Sequence, residues 1–152
     1  MDVLHNRLLW TAIAATFTAQ VLKVALILAV EHKWAPDRFL ETGGMPSSHT
    51  ASVWALALSC GIKFGWDSPL FAVACIFGLI VMYDASGIRR AAGFQAQLLN
   101  DLVQELRTVV RENFAPRPLK VLLGHTYFEV AVGAVVGIVV AVVSYLVLPG
   151  PK

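Results

Sequence analysis

Thr126–Leu148 reads TYFEVAVGAVVGIVVAVVSYLVL, 23 residues with one charged side chain, Glu129. A bilayer core takes about 20 consecutive apolar residues as a helix. Only a helix or a closed barrel satisfies its own backbone there. The stretch therefore predicts a membrane-spanning helix over 126–148. Leu8–Val30 predicts a second, interrupted by Gln20 and Lys23. This run is longer than the about 7–15 apolar residues of a cleaved leader. It is followed by Glu31-His32-Lys33-Trp34 rather than a small-residue cleavage site, so it reads as a retained span. Two shorter apolar runs, about 47–62 and 69–84, are separated by Lys63-Phe64-Gly65-Trp66-Asp67-Ser68. That connection has turn residues and an interfacial Trp, so the pair predicts a helical hairpin.

Composition agrees. The chain is 57% hydrophobic and 14% charged, against about 25% charged for a soluble domain. A net charge of +2 gives no argument for nucleic acid. Cys60 and Cys75 sit inside apolar runs without metal-ligand spacing and read as buried thiols. Between the third and fourth spans, Leu98, Leu99, Leu102, Leu106, Val109 and Val110 recur at helical spacing among Gln97, Asp101, Gln104, Glu105 and Arg107. This predicts an amphipathic helix over about 93–113, lying on the membrane surface or over the bundle and ended by Pro116 and Pro118. The expected fold is an all-α integral membrane bundle in one domain, 1–152, with about four transmembrane helices and one surface helix.

Four spans put 31–49 and 84–125 on the same side. That face gathers His49, His125, Asp84, Arg89, Arg90 and Lys120, and it also carries Lys33, Arg38, Arg107, Arg111 and Arg117. The other side has Arg7, Lys63 and Lys152. The excess of positive charge places the polar face in the cytoplasm, with the plasma membrane of a bacterium as the expected location.

Three clusters on that face can carry chemistry. In Gly43-Gly44-Met45-Pro46-Ser47-Ser48-His49 the glycines permit a tight turn and Pro46 suits a helix start. The N–H groups and hydroxyls of Ser47 and Ser48 suit an anion, and His49 can hand a proton to a leaving oxygen. The plainer reading is a Pro-Ser helix cap with an interfacial His. In Gly124-His125-Thr126-Tyr127-Phe128-Glu129, the four-residue spacing of His125 and Glu129 puts them on one helix face. A carboxylate on one ring nitrogen makes the other a better nucleophile. The plainer reading is a structural His–Glu pair. In Tyr83-Asp84-Ala85-Ser86-Gly87-Ile88-Arg89-Arg90, the arginines read as a guanidinium clamp on phosphate oxygens or as interfacial anchors. Asp84 steadies that clamp or, alternatively, holds a divalent metal. Lys23, a cation inside a span, snorkels, pairs with Glu129 or reaches the phosphate from below. Gly133 and Gly137 form a small-xxx-small pattern for packing within or between protomers.

These strings resemble the divergent type-2 phosphatidic acid phosphatase family, which is related to acid phosphatases and vanadium-dependent haloperoxidases. The resemblance runs from about Gln20 to Gly137. It implies a lipid phosphate or diphosphate phosphatase; no cofactor is expected and the chemistry requires no metal, with a divalent metal at Asp84 as the alternative. His125 is the implied nucleophile and His49 the implied general acid. In the wider superfamily one signature is Pro-Ser-Gly-His, and here Ser48 stands at the Gly. Another has an Arg six residues before the nucleophilic His and an Asp four after it. Here those positions are Leu119, with Lys120 beside it, and Glu129. The Lys and Arg-Pro signature is absent, since Lys33 and Arg38 are five apart and lack the Pro. Arg89 and Arg90 stand in for the missing phosphate ligands. The expected site is thus His125, His49 and Glu129, with Ser47, Ser48, Arg89, Arg90, Lys120 and Lys23 on the phosphate and Asp84, Gly43, Gly44 and Gly124 in support. The rival readings are a non-catalytic protein that binds anionic lipid or phosphate, and, remotely, haloperoxidase chemistry on bound vanadate. Expected partners are membrane lipids, a lipid phosphate substrate and a second copy through Gly133 and Gly137.

Overall fold

A computed structural model describes residues 3–32, 34, 39, 43–110, 117–121 and 123–147, with side chains to 106 in the helix that ends at 110. Lys33, Arg38 and the side chains of Arg107 and Arg111 lie outside the described residues. After a short turn at Val3–His5 come α1 (Arg7–Glu31), α2 (Ser48–Phe64), α3 (Pro69–Ser86), α4 (Ile88–Val110) and α5 (Tyr127–Val147). Each of the first three long helices starts on a side-chain cap. Asn6 accepts from the Leu9 N–H, Ser47 from Thr50 and Ser68 from Phe71, with Pro69 following Ser68. These caps satisfy backbone donors that the helix cannot.

α2 is the centre of the bundle and packs against α1, α3 and α5. Most of its buried positions are small, among them Ala51, Ala55, Ala57, Ser59, Cys60 and Gly61, with Thr50 and Val53 the bulkier exceptions. Lipid tails are as apolar as leucine, so membrane helices gain by close packing of small residues rather than by hiding oil from water. The contact with α5 carries this furthest. A Cβ on Gly133 would lie 2.5 Å from the Ser47 carbonyl oxygen, and one on Gly137 would lie 2.2 Å from that of Ala51. The two glycines, read as a packing pattern within or between protomers, therefore face α2 of the same chain. Val135, Val139 and Val143 occupy the outer side of α5, as Ile76 and Ile80 do on α3.

Among the described residues, three helical stretches are long and apolar enough to cross a membrane: α1, the run Pro69–Leu106 that begins with α3, and α5. α2 has 17 residues and lies among them. The chain is an all-α integral membrane bundle of four helices with an amphipathic fifth. α4 begins at Ile88, five residues earlier than the expected 93, because Gly87 alone breaks the chain after α3. It follows that Arg89 and Arg90 belong to its first turn. Farther along, Phe94, Leu98, Leu102 and Leu106 are exposed. The Asn100 side chain both donates to and accepts from the backbone of Leu119, at 2.9 Å each way, which returns the chain along α4.

Candidate functional site

Two backbone hydrogen bonds and one close backbone contact assemble the polar end of the bundle. The Ser47 N–H donates to the Glu129 carbonyl (3.2 Å), tying the start of α2 to the first turn of α5. The His125 N–H donates to the Ala85 carbonyl (2.9 Å), tying the turn before α5 to the end of α3. Gly124, at φ +86°, then lies against the backbone of Arg89 and Arg90, where a Cβ would come within 2.4 Å of the Arg90 nitrogen. Both histidine strings and the arginine string meet here, as the topology of four spans requires.

His125 is 3% exposed, and neither ring nitrogen has a hydrogen-bond partner. Buried polar atoms are nearly always paired, so two orphans on one imidazole call for a functional account. Burial drives its pKa down to about 4; the Glu129 carboxylate opposes this, while Lys23, His49 and Arg89 reinforce it. The ring is neutral at neutral pH and retains a nucleophilic lone pair. His49 stands in the first turn of α2, exposed, at the head of a cleft it shares with Ser48 and Ser52. The charges of Arg89, Lys23 and Asp84 all act on it.

Lys23 is 1% exposed and is the largest fully buried side chain among the described residues. It lies 3.8 Å from the Cβ position of Gly44 and, with Glu129, Gly43 and Met45, lines a hollow of about 380 Å³. A cation held inside a span marks function by default, since burying it there is costly. Arg89 pairs with Asp84 (Nε to Oδ2, 2.6 Å), so Asp84 steadies the guanidinium.

Other expected residues are placed differently. α5 starts at Tyr127, so His125 precedes the helix and does not share a helical face with Glu129. Glu129 Oε2 instead accepts from the Thr126 N–H (2.8 Å), and Thr126 Oγ1 accepts from the Glu129 N–H (3.2 Å). This reciprocal capping box was visible as Thr-x-x-Glu before an apolar run. Ser47 is fully buried; its N–H goes to Glu129, and its hydroxyl accepts from the N–H and Oγ1 of Thr50. It caps α2, and its N–H is not available to phosphate. Pro46 lies before this cap, after a cis bond, rather than inside the helix. Ser48 is buried beside His49. The Arg90 guanidinium lies over the Phe94 ring (5.5 Å), along α4, and Lys120 is exposed on the returning segment. The cations acting on both histidines are therefore Lys23 and Arg89.

Residues 4–140 match the model of the divergent PAP2 family. The chain belongs to that family. It is also similar to the uncharacterized membrane protein YuiD of Bacillus subtilis strain 168, with 41% identity over 152 aligned residues that cover 94% of this chain and 96% of the relative. No solved structure matches. Within this divergent PAP2 frame, the two histidines and the paired Arg89 hold the polar end of the bundle, with Lys23 beneath them.

Proposed function

We propose that this protein is a membrane phosphatase acting on a lipid phosphate or diphosphate at the cytoplasmic face of a bacterial plasma membrane. The observation that carries the reading is His125: buried, neutral, without a partner at either nitrogen, and close to Lys23, Arg89 and His49. His125 attacks phosphorus while Lys23 and Arg89 neutralise the phosphoryl oxygens. His49, protonated, gives its proton to the departing lipid alkoxide. In the second step His49 takes a proton from water, which hydrolyses the phosphohistidine and frees His125. Glu129 holds the start of α5 and raises the proton affinity of His125 through space.

The test is phosphate release by purified protein in detergent from a panel of lipid phosphates and diphosphates, with and without chelator. Release that resists chelator and is lost in both His125→Ala and His49→Ala supports the reading. Release that chelator abolishes moves Asp84 to a metal-binding role. A second reading, a binding protein without turnover, draws on the shielding of both His125 nitrogens from solvent. No release from any substrate, with anionic lipid still bound, favours it.

A further inference from the structure

The cleft headed by His49 has a volume of about 650 Å³ and extends well beyond the polar end. α2 forms its floor through Ser48, His49, Ser52 and Val53, while α1 and α3 form its walls. Both wall helices pack on α2 and hardly on each other, so the cleft between them lies on the flank of the bundle. In a membrane that flank meets lipid, not water. Along α1 the lining runs from Gln20 to Ile13, seven residues or about 10 Å at 1.5 Å each. That is a large part of one leaflet's share of the roughly 30 Å hydrocarbon layer. Phe17 and Ile13 face Phe77 and Val81 across it, with the Phe39 ring edge-on to Phe17 at 5.6 Å. Gln20, Ser48 and His49 lie at the head, and farther down Thr16 and Ser52 are the polar residues among Ile13, Phe17, Val53 and Phe77, so the lining turns mostly apolar with depth, as a single lipid molecule does.

We infer that this cleft holds the hydrocarbon chain of the lipid phosphate, which enters sideways from the bilayer between α1 and α3 with its phosphate end toward His49. The inference rests on the reading that a phosphate is handled beside His49. It deepens that reading by making a long-chain lipid, and not a free phosphate or a water-soluble ester, the preferred ligand. Ser52, one turn below His49 on the floor, is the position where added bulk closes the cleft without touching either histidine's string.

The experiment uses the full chain in phosphatidylcholine vesicles with a long-chain lipid phosphate carrying a diazirine on its tail. Photolysis and peptide mapping then locate the adducts. Adducts enriched about tenfold on 13–20 and 77–81 over the outer face of α5 are expected, equivalent to about 1.4 kcal/mol of preference. Ser52→Phe and, from the opposite wall, Val81→Trp should remove that enrichment, and His125→Ala should keep it. Even labelling around the bundle, or enrichment that survives both cleft-filling variants, overturns the inference. So does equal enrichment with a diazirine phosphatidylcholine, which makes the cleft a seat for ordinary bilayer lipid. Enrichment without phosphate release from the wild type sinks the phosphatase reading and leaves the lipid cleft standing.

Discussion

The two histidine turns begin alike and end in opposite environments. Each has a glycine at φ +86°, Gly44 in one and Gly124 in the other, and each leads into a side-chain-capped helix. The difference is where the histidine falls relative to the cap. His49 comes two residues after Ser47, within the helix, and reaches the cleft. His125 comes one residue before Thr126, outside the helix, and is folded under it. Register against a cap, rather than the surrounding composition, makes one imidazole accessible and leaves the other dry and neutral.

Substitution of the histidines tests this contrast most severely. His125→Ala should remove all measurable turnover on every phosphate ester. His49→Ala should lose about 10²–10⁴-fold on lipid substrates, the usual worth of a general acid. An aryl phosphate, whose leaving group needs no proton, should recover most of the His49→Ala activity and none of the His125→Ala activity. Equal rescue of both variants breaks the assignment of roles.

Stability should follow pH through the dry histidine. With its folded pKa at about 4 and an ordinary value of about 6.5, the unfolded chain binds the extra proton between those limits. Folding is therefore weakened as pH falls through that window and is unaffected by His125 above it. The melting temperature in detergent should drop from pH 6.5 to pH 4. His125→Leu, which cannot titrate, should flatten that part of the curve. An unchanged curve in His125→Leu would assign the effect to another group.

The turn glycines give a smaller contrast. Gly44→Ala meets only the Lys23 side chain, at an ordinary contact distance of 3.8 Å, and should cost only the left-handed backbone penalty of about 1–2 kcal/mol. Gly124→Ala has the same penalty and also drives a methyl into the backbone at Arg90, adding about 1–3 kcal/mol for overpacking. Thermal unfolding of the two variants side by side checks the order.

The smallest effects belong to the caps. Thr126→Val should lower stability by about 1 kcal/mol. Glu129→Gln keeps the reciprocal capping bond and should fold normally, so any loss of turnover in it measures the carboxylate's through-space action on His125. A Glu129→Gln protein as unstable as Thr126→Val would show that the box needs the charge.

Much of this was legible in sequence because membrane helices write themselves in long apolar runs. The spans, the Lys63–Ser68 hairpin and the gathering of the three strings at one end follow from run lengths and parity. The work of Ser47 and Glu129 was harder to read, because a serine or carboxylate at a helix start serves backbone donors and phosphate with the same atoms. The i, i+4 spacing of His125 and Glu129 suggested a shared face only on the assumption that the helix had already begun. Gly133 and Gly137 marked a close contact correctly, but spacing alone does not say which helix is the partner. The cleft left no signal, since Ile13, Phe17, Phe77 and Val81 look like any lipid-facing residues until α1 and α3 are set on either side of α2.

The meeting of α5 with α2 is a contact of backbones, made through Gly133, Gly137 and the carbonyls of Ser47 and Ala51. Backbone has no rotamers to exchange, so the frame carrying both histidine strings is rigid in its inheritance as well as its shape. The side walls contributed by α1 and α3 are held by ordinary side chains. Variation in a directed library should therefore collect on those walls and change which molecules are accepted, while the α2–α5 frame tolerates almost none.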